Sequence, residues 1–421
     1  MSNVPKLRFK EFSEEWEKHY FSDIYGFFQT NSFSRALLNY ENGSIKNIHY
    51  GDIHTKFKSN FFINKEEVPF INTEIDISKI KDENYCQIKD LIIADASEDY
   101  NDIGKAIEII ELNGEKLVAG LHTYIARDIK NKMALGFGGY FMQTHNIRLQ
   151  MMKLATGISV LGISKSNLSN ISLVIPSKKE QEKIASFLTS IDTKIEQLTK
   201  KEELLQQYKK GVMQKIFNQE IRFKADDGSL FPEWEEKKLE DLLDMVVDNR
   251  GKTPPIHNEG IPLIEVNAIG QKEVQYKKVS KYVTSETYND WFRKYLEDGD
   301  ILFSTVGQTA ICSLYSNNVK ACIAQNIVGL RFKEKYFSDF MYYLLTEEKN
   351  NFQFKRIEMI AVQPSVKVSQ MIHLIFLVPC LEEQIKIANF LSSIDSKIEQ
   401  VQKQLNFTKK FKKALLQQMF V

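Results

Sequence analysis

The sequence, 421 residues long, lacks most of the features that would assign it a chemistry at once. Its four cysteines, Cys86, Cys312, Cys322 and Cys380, form no CxxC pair, which fits free thiols in a reducing compartment better than a disulfide framework. The histidines (His19, His49, His54, His122, His145, His257 and His373) do not stand at zinc-finger spacing from those cysteines. His49 and His54 read as turn residues, and His122, inside AGLHTY, as a strand residue with a satisfied hydrogen bond. There is no GxGxxG. Gly251-Lys252-Thr253 ends like a phosphate loop, but Val246 stands where a glycine is required and two prolines follow where a helix must begin. Thr253-Pro254-Pro255-Ile256 is not the Asn/Asp-Pro-Pro-aromatic motif of an amino-methyltransferase, and Glu265 lacks the companions of a nuclease core. No apolar run approaches the ~18 residues needed to span a bilayer, and the opening MSNVPKLRFKEF has no stretch suited to a signal peptide. A cytoplasmic protein that is not itself an enzyme, with no metal or cofactor of its own, is expected.

Charge of one sign is missing too. Lys and Arg total 56 against 55 Asp and Glu, a net charge of +1, so no bulk basic field attracts nucleic acid. The charge is uneven, however. Lys178–Lys224 carries 11 basic against 7 acidic residues (+4), and Glu382–Val421 carries 7 against 4 (+3), which leaves −6 for the rest. Any nucleic-acid contact has to come from local patches.

What is present is a repeat. A segment from Gln181 to Phe217 recurs from Gln384 to Phe420 with a constant offset of 203 and no gap: Pro176 matches Pro379, Glu180 Glu383, Asp192 Asp395, Lys194 Lys397 and Gln214 Gln417. In the first copy Ile184, Leu188, Ile191, Ile195, Leu198, Leu205, Val212 and Ile216 fall at steps of three and four, interrupted at Glu202 and Lys209. In the second, Ile387, Leu391, Ile394, Ile398, Val401, Leu405, Leu415 and Met419 do the same. This is the a/d stripe of a coiled coil, on rods of roughly 50 Å, and each stripe is the nearest partner for the other; the competing reading is two helices that each pack on their own domain. The lysines late in each helix, Lys209-Lys210, Lys409-Lys410 and Lys412-Lys413, read first as complements to the helix dipole.

The repeat extends outward. Arg8-Phe9-Lys10 and Glu15-Trp16-Glu17 recur as Arg222-Phe223-Lys224 and Glu233-Trp234-Glu235, with four extra residues between the blocks of the second copy. Between these blocks and the helices lie globular stretches with strand-like runs: LIIADA, KAIEII and KLVAGLHTYIA in the first, IPLIEVNAI, DILFSTV and CIAQNIVGLRF in the second. NGEK at 113–116 reads as a hairpin turn, and Gly136-Phe137-Gly138-Gly139 as a flexible loop. Both stretches leave through similar exits, ISVLGISKSNLSNISLVIP and AVQPSVKVSQMIHLIFLVP, again 203 residues apart.

Taken together, Pro5-Lys6-Leu7-Arg8-Phe9, Glu233-Trp234, Pro-x3-Glu-Gln-x2-Ile-Ala-x-Phe-Leu from both Pro176 and Pro379, and the Ile-Asp-x-Lys-Ile-Glu that follows each, resemble the specificity subunit of type I restriction–modification enzymes over the full length. The resemblance implies an α+β protein: two mixed α/β target recognition domains with pseudo-two-fold symmetry, separated by two long helices forming an antiparallel coiled coil. The expected layout is an opening segment 1–17, recognition domain 18–177, central helix 178–220, second opening segment 221–236, second recognition domain 237–380 and C-terminal helix 381–421. Each domain is expected to read one half of a split double-stranded DNA site. The helices are expected to set the spacing and dock two modification (methyltransferase) subunits. Those partners would hold S-adenosylmethionine, while restriction/translocase subunits would use ATP and Mg; no membrane is involved.

Base readout in the first domain is assigned to Asn31, Ser34 and Arg35, with Lys56 and Lys58 on the phosphates. In the second it is assigned to Asn249, Arg250, Lys252 and Thr253, with Lys277 and Lys278 on the phosphates. The competing readings are a coiled-coil adaptor that binds only protein, which the near-zero net charge suits, and a DNA enzyme with an unrecognised site.

Overall fold

The computed structural model describes residues 3–249, 251, 253–360 and 362–421, so that the candidates Arg250 and Lys252 lie outside the described residues. The chain divides into two compact units, Met1–Lys200 with Gln402–Val421, and Lys201–Val401.

The first unit is built on a five-stranded sheet of β1 (Tyr25–Phe28), β2 (Asn60–Phe62), β3 (Leu91–Ala94), β4 (Ala106–Glu111) and β5 (Thr123–Asp128), in the spatial order β1-β5-β3-β4-β2. All neighbours are antiparallel except β4 and β2. The central strand β3 is buried at all four positions, as expected for a strand covered on both faces, and accordingly its sequence, LIIA, is continuously apolar rather than alternating. The second unit repeats the order with β6 (Leu243–Val247), β7 (Ile301–Ser304), β8 (Cys312–Leu314) and β9 (Ile327–Phe332), arranged β6-β9-β7-β8 and antiparallel throughout. Here ILFS of β7 fills the place of LIIA and is likewise fully buried.

Both long helices form. α1 spans Lys178–Phe217 and α2 spans Leu381–Gln418. Each starts three residues before the repeated glutamine, Gln181 or Gln384, directly after the segment that Pro176 or Pro379 keeps extended. Within the first unit, Ile184, Ala185, Leu188 and Ile191 from the start of α1 share one core with Leu415, Met419 and Phe420 from the end of the chain. Within the second, Val212, Ile216 and Phe217 from the end of α1 share a core with Ile387, Leu391, Ile394 and Ile398 from the start of α2. Of the sixteen stripe positions, fourteen are buried; Ile195 and Leu205 are half-buried.

Several local expectations are corrected. NGEK does turn, with Asn113 and Gly114 at φ 50° and 76°, but it is not a hairpin: the following strand, Leu117–Ala119, leaves β4 and pairs parallel with Lys46–Ile48 in a separate sheet. Gly136–Gly139 is not a loose loop. Gly136, at φ 81°, caps a buried helical turn, Phe137–Phe141. Glu108 organises it: its carboxylate accepts from the Gly136 N–H at 2.7 Å and the Gly139 N–H at 2.8 Å. IPLIEVNAI is a strand only to Ile264 and then a 3-10 turn, because Glu265 leaves the sheet to pair with Lys281 at 2.7 Å. His122 is not in a strand. It stands in the turn before β5 at φ 57° with its side chain half exposed. His49 and His54 belong to a short helix, Tyr50–Thr55, which His49 caps by accepting from the Gly51 N–H.

Candidate nucleic-acid interface

In each unit a buried aspartate just before the central strand fixes an arginine on the neighbouring strand through two charge-assisted bonds. Asp90 accepts from Arg127 at 2.8 and 2.7 Å, and Asp300 from Arg331 at 2.9 and 2.9 Å. The opening blocks are clamped in the same way. Arg8 grips Glu180 at 2.8 Å through two nitrogens, and Arg222 grips Glu383 at 3.2 and 3.0 Å. Both glutamates are almost fully buried, so each carboxylate takes its charge partner from its arginine, and Glu383 also accepts from the Trp234 indole N–H at 3.1 Å. Trp16 packs edge-on against Phe420, and Trp234 against Phe217. Gln181 and Gln384 each donate back to the carbonyl of Pro176 or Pro379, at 3.0 and 2.8 Å, which pins the helix starts. The Glu-Gln pair that the sequence repeats is thus a structural joint.

A second joint lies further along each helix. Tyr140 donates to Asp192 at 2.7 Å, and Tyr343 to Asp395 at 2.6 Å. Lys412 and Lys209 complete the two sites at 2.6 Å from the same aspartates. Burial, then the adjacent carboxylate, pushes both tyrosine hydroxyls well above their ordinary range, so they remain donors. These two lysines therefore serve as partners of carboxylates rather than as complements to the helix dipole, and Lys210 pairs with Glu348 at 2.8 Å.

The candidate readers fare differently. Asn31 is committed internally, donating to Asn47 at 2.8 Å and to the Ala119 carbonyl at 2.9 Å. Ser34 is exposed and precedes a 3-10 turn, Arg35–Leu37. Arg35 and Lys56 are brought together: Arg35 holds the buried Asp52 through two bonds of 2.8 Å, and both cations reach the Tyr40 hydroxyl, at 3.1 and 3.2 Å. His49, Tyr50 and His122 continue this patch as neighbouring rings, 4.7 and 5.4 Å apart. Burial and the Arg35 charge lower the His49 pKa, which favours a neutral ring beside the guanidinium. The mix of exposed cations and aromatic rings suits a polyanion with stackable bases, and the histidines and tyrosines are the part that the sequence concealed. Lys58 stands apart, bonded to Glu196 of α1 at 2.6 Å.

In the second unit Asn249 is tied to the backbone of Arg293 and Lys294, and Thr253 accepts from Gln325 at 3.1 Å. Lys277 and Lys278 are exposed on a 3-10 turn. Among the described residues no cluster of His, Cys, Asp or Glu is suited to a metal, and no helix is long and apolar enough to cross a membrane.

Two units with one strand order, each sharing its core with segments of both long helices, define a duplicated architecture. The model of the type I restriction modification DNA specificity domain matches this chain twice, at residues 36–206 and 232–407. The chain belongs to that family, whose part in restriction–modification is DNA sequence recognition rather than catalysis. Among curated relatives, the MjaVIII specificity subunit of Methanocaldococcus jannaschii is 26% identical over 306 residues, covering 70% of this chain and 71% of the relative. The putative MjaX specificity subunit of the same organism is 28% identical over 376 residues, covering 82% and 83%. The fold is that of the S subunit from M. genitalium, with a TM-score of 0.58 at 14% identity over 99% of both chains. A chain solved in work on complex assembly and conformational transition of the type I R-M system gives 0.57 at 14%, over 96% and 97%.

Proposed function

We propose that this protein reads a split, asymmetric DNA target in the cytoplasm, one half-site per recognition domain (18–177 and 237–380), with the helical segments 178–220 and 381–421 setting the spacing as a coiled coil. The observation that carries this reading is the double match to a DNA specificity domain, one match in each unit of shared strand order. The two domains keep the frame and differ in the residues hung on it, so the half-sites differ. Arg35 and Lys56 act on the phosphates or base edges in the first domain, and Lys277 and Lys278 on the phosphates in the second. The opening segments, 1–17 and 221–236, anchor each domain to its helix.

The helices also dock two copies of the modification subunit, which carries the methyl transfer, and through them the restriction/translocase subunits join. In support, each helix exposes an apolar pair at the repeated positions: Leu204 and Tyr208 on α1, and Phe407 and Phe411 on α2, each pair offset by 203 from the other. Two like surfaces suit two like partners.

Filter binding of the purified chain to duplex DNA over a salt series tests the reading. It predicts an affinity that falls steeply as salt rises, by counterion release. A protein-only adaptor shows no salt-sensitive binding.

A further inference from the structure

In each unit the segment before the exit strand forms a small closed hairpin, and the two hairpins match to the residue. Thr156 and Gly162 exchange two backbone hydrogen bonds, at 2.9 and 2.7 Å. Met359 and Ser365, each 203 positions later, exchange two at 2.8 and 3.3 Å. Both hairpins are stitched at the base to the end of the central-strand segment. Gly162 pairs with Ala96, and the Ile163 N–H donates to Asp95; Ser365 bridges Val306, and the Val366 N–H donates to Thr305. Gly157 makes the first turn at φ 127°, where a Cβ would collide with the Val160 carbonyl oxygen. In the second, the Gly307 N–H holds the Pro364 carbonyl at 2.8 Å.

What these pinned hairpins present is unusual. Ile158 is 102% and Val160 55% exposed; Ile360 is 99% and Val362 104% exposed. Polar Ser159 and Gln363 stand among them, both exposed. Single exposed apolar residues need no explanation. The same backbone closure built twice, with exposed apolar side chains beside it each time, does.

We propose that these two tips, Ile158-Ser159-Val160 and Val362-Gln363 with Ile360, enter a groove of duplex DNA and determine base preference, one tip per half-site. The inference rests on the split-site reading above. Both tips lie inside the stretches matched by the DNA specificity domain. Their backbone closure is kept between the units while their side chains differ, as two readers of different sequences require. Aliphatic side chains contact the thymine methyl in the major groove, or wedge at a base step in the minor groove, while Ser and Gln bond base edges. Exposed cations follow or precede both tips in the chain, Lys153 and Lys165 at the first, Arg356 and Lys367 at the second, Lys165 lying over the Phe27 and Tyr124 rings. Glu98 and Asp99, close to the base of the first tip, disfavour phosphates there and leave the tip to the bases. With Asn31, Asn249 and Thr253 engaged within the protein, the tips are the stronger candidates for direct readout.

The test uses the full chain assembled with its modification subunits, methylating a plasmid library with randomised positions, read by methylation sequencing. The variants are I158S/V160S and I360S/V362S, with I158L as the conservative control. The expected result is a split motif from the unaltered complex. Each double variant should lose about tenfold or more of its base preference in one half of that motif, a different half for each, while the other half and complex assembly stay unchanged and I158L retains most of its selectivity. Unchanged motifs from both variants overturn the tip assignment alone. Weakened assembly with the modification subunits, with the residual methylation falling on an unaltered motif, overturns it in favour of a protein contact. Absence of any split motif from the unaltered complex overturns the two-reader reading and the tip assignment with it.

Discussion

Lys412 stands 220 positions after Asp192 in the chain, yet its Nζ lies 2.6 Å from that carboxylate. Lys209 and Asp395 repeat the pair at 2.6 Å in the other unit. In the first unit, the pair fastens the end of the chain to the start of the central helix. In the second, it fastens the end of that helix to the start of the last one. Both aspartates also accept a tyrosine hydroxyl, so each site joins a domain helix to both long helical segments.

Removing either cation should therefore cost more than breaking a surface ion pair. Lys412 and Asp192 are only 19% and 28% exposed, between the exposed case of about 0–1 kcal/mol and the buried case of about 3–5 kcal/mol. Lys412→Ala is expected to lower stability by roughly 1–2 kcal/mol. A double-mutant cycle with Asp192→Asn should show coupling of at least about 0.5 kcal/mol. Additive effects in chemical denaturation would mean that the pair does not act as a joint.

The arginine clamps should be costlier. Glu180 and Glu383 are 1% and 0% exposed, so Arg8→Ala or Arg222→Ala leaves a buried carboxylate uncompensated, at about 3–5 kcal/mol. Lysine cannot reproduce the two-pronged grip and should restore only part. Equal stabilities for the alanine and lysine variants would contradict the clamp.

The helix stripe gives a graded expectation. Leu188 and Leu391 are 0% exposed, and truncation of either to alanine should cost about 2–5 kcal/mol. Ile398→Asp should disrupt more than Ile195→Asp, because Ile398 is buried and Ile195 only half-buried. Thermal unfolding of the four variants gives the order; a reversed order for the two aspartates would show that the stripe is misread.

Glu108 supplies a pH dependence with a definite sign. Burial raises its pKa from 4.5 to about 7, against three backbone N–H groups that lower it. The folded state therefore holds the proton more tightly than the unfolded chain. Its contribution is fully present below pH 4.5, declines as pH rises, and is lost above about 7. The first unit should lose stability across that window, and Glu108→Gln should flatten the slope whatever it does to the absolute value. Denaturation midpoints at a series of pH values check this; an identical slope in the variant would rule out Glu108 as its source.

The sequence revealed the long helices because a three-and-four stripe repeated at a fixed offset leaves few other structures. It revealed the central strands because LIIA and ILFS are short apolar runs rich in Ile and Leu, too short for a core helix. It misjudged Gly136–Gly139 because the partner that orders those glycines, Glu108, lies on a strand 28 residues earlier. It concealed the reading surface for the same reason. Asn31 and Asn249 look like free loop amides until the long-range bonds to Asn47 and Lys294 appear. The closed tips, in turn, show only when Thr156 and Met359 are seen bonded six residues ahead.

The most direct test of the account is to map adenine methylation in a host carrying the modification subunits, with and without this chain. The account predicts a motif of two different half-sites separated by unread base pairs, present only with the chain, and it predicts that exchanging residues 18–177 for the corresponding domain of another family member alters one half alone. Methylation that is independent of the chain, or an exchange that rewrites both halves, would contradict it.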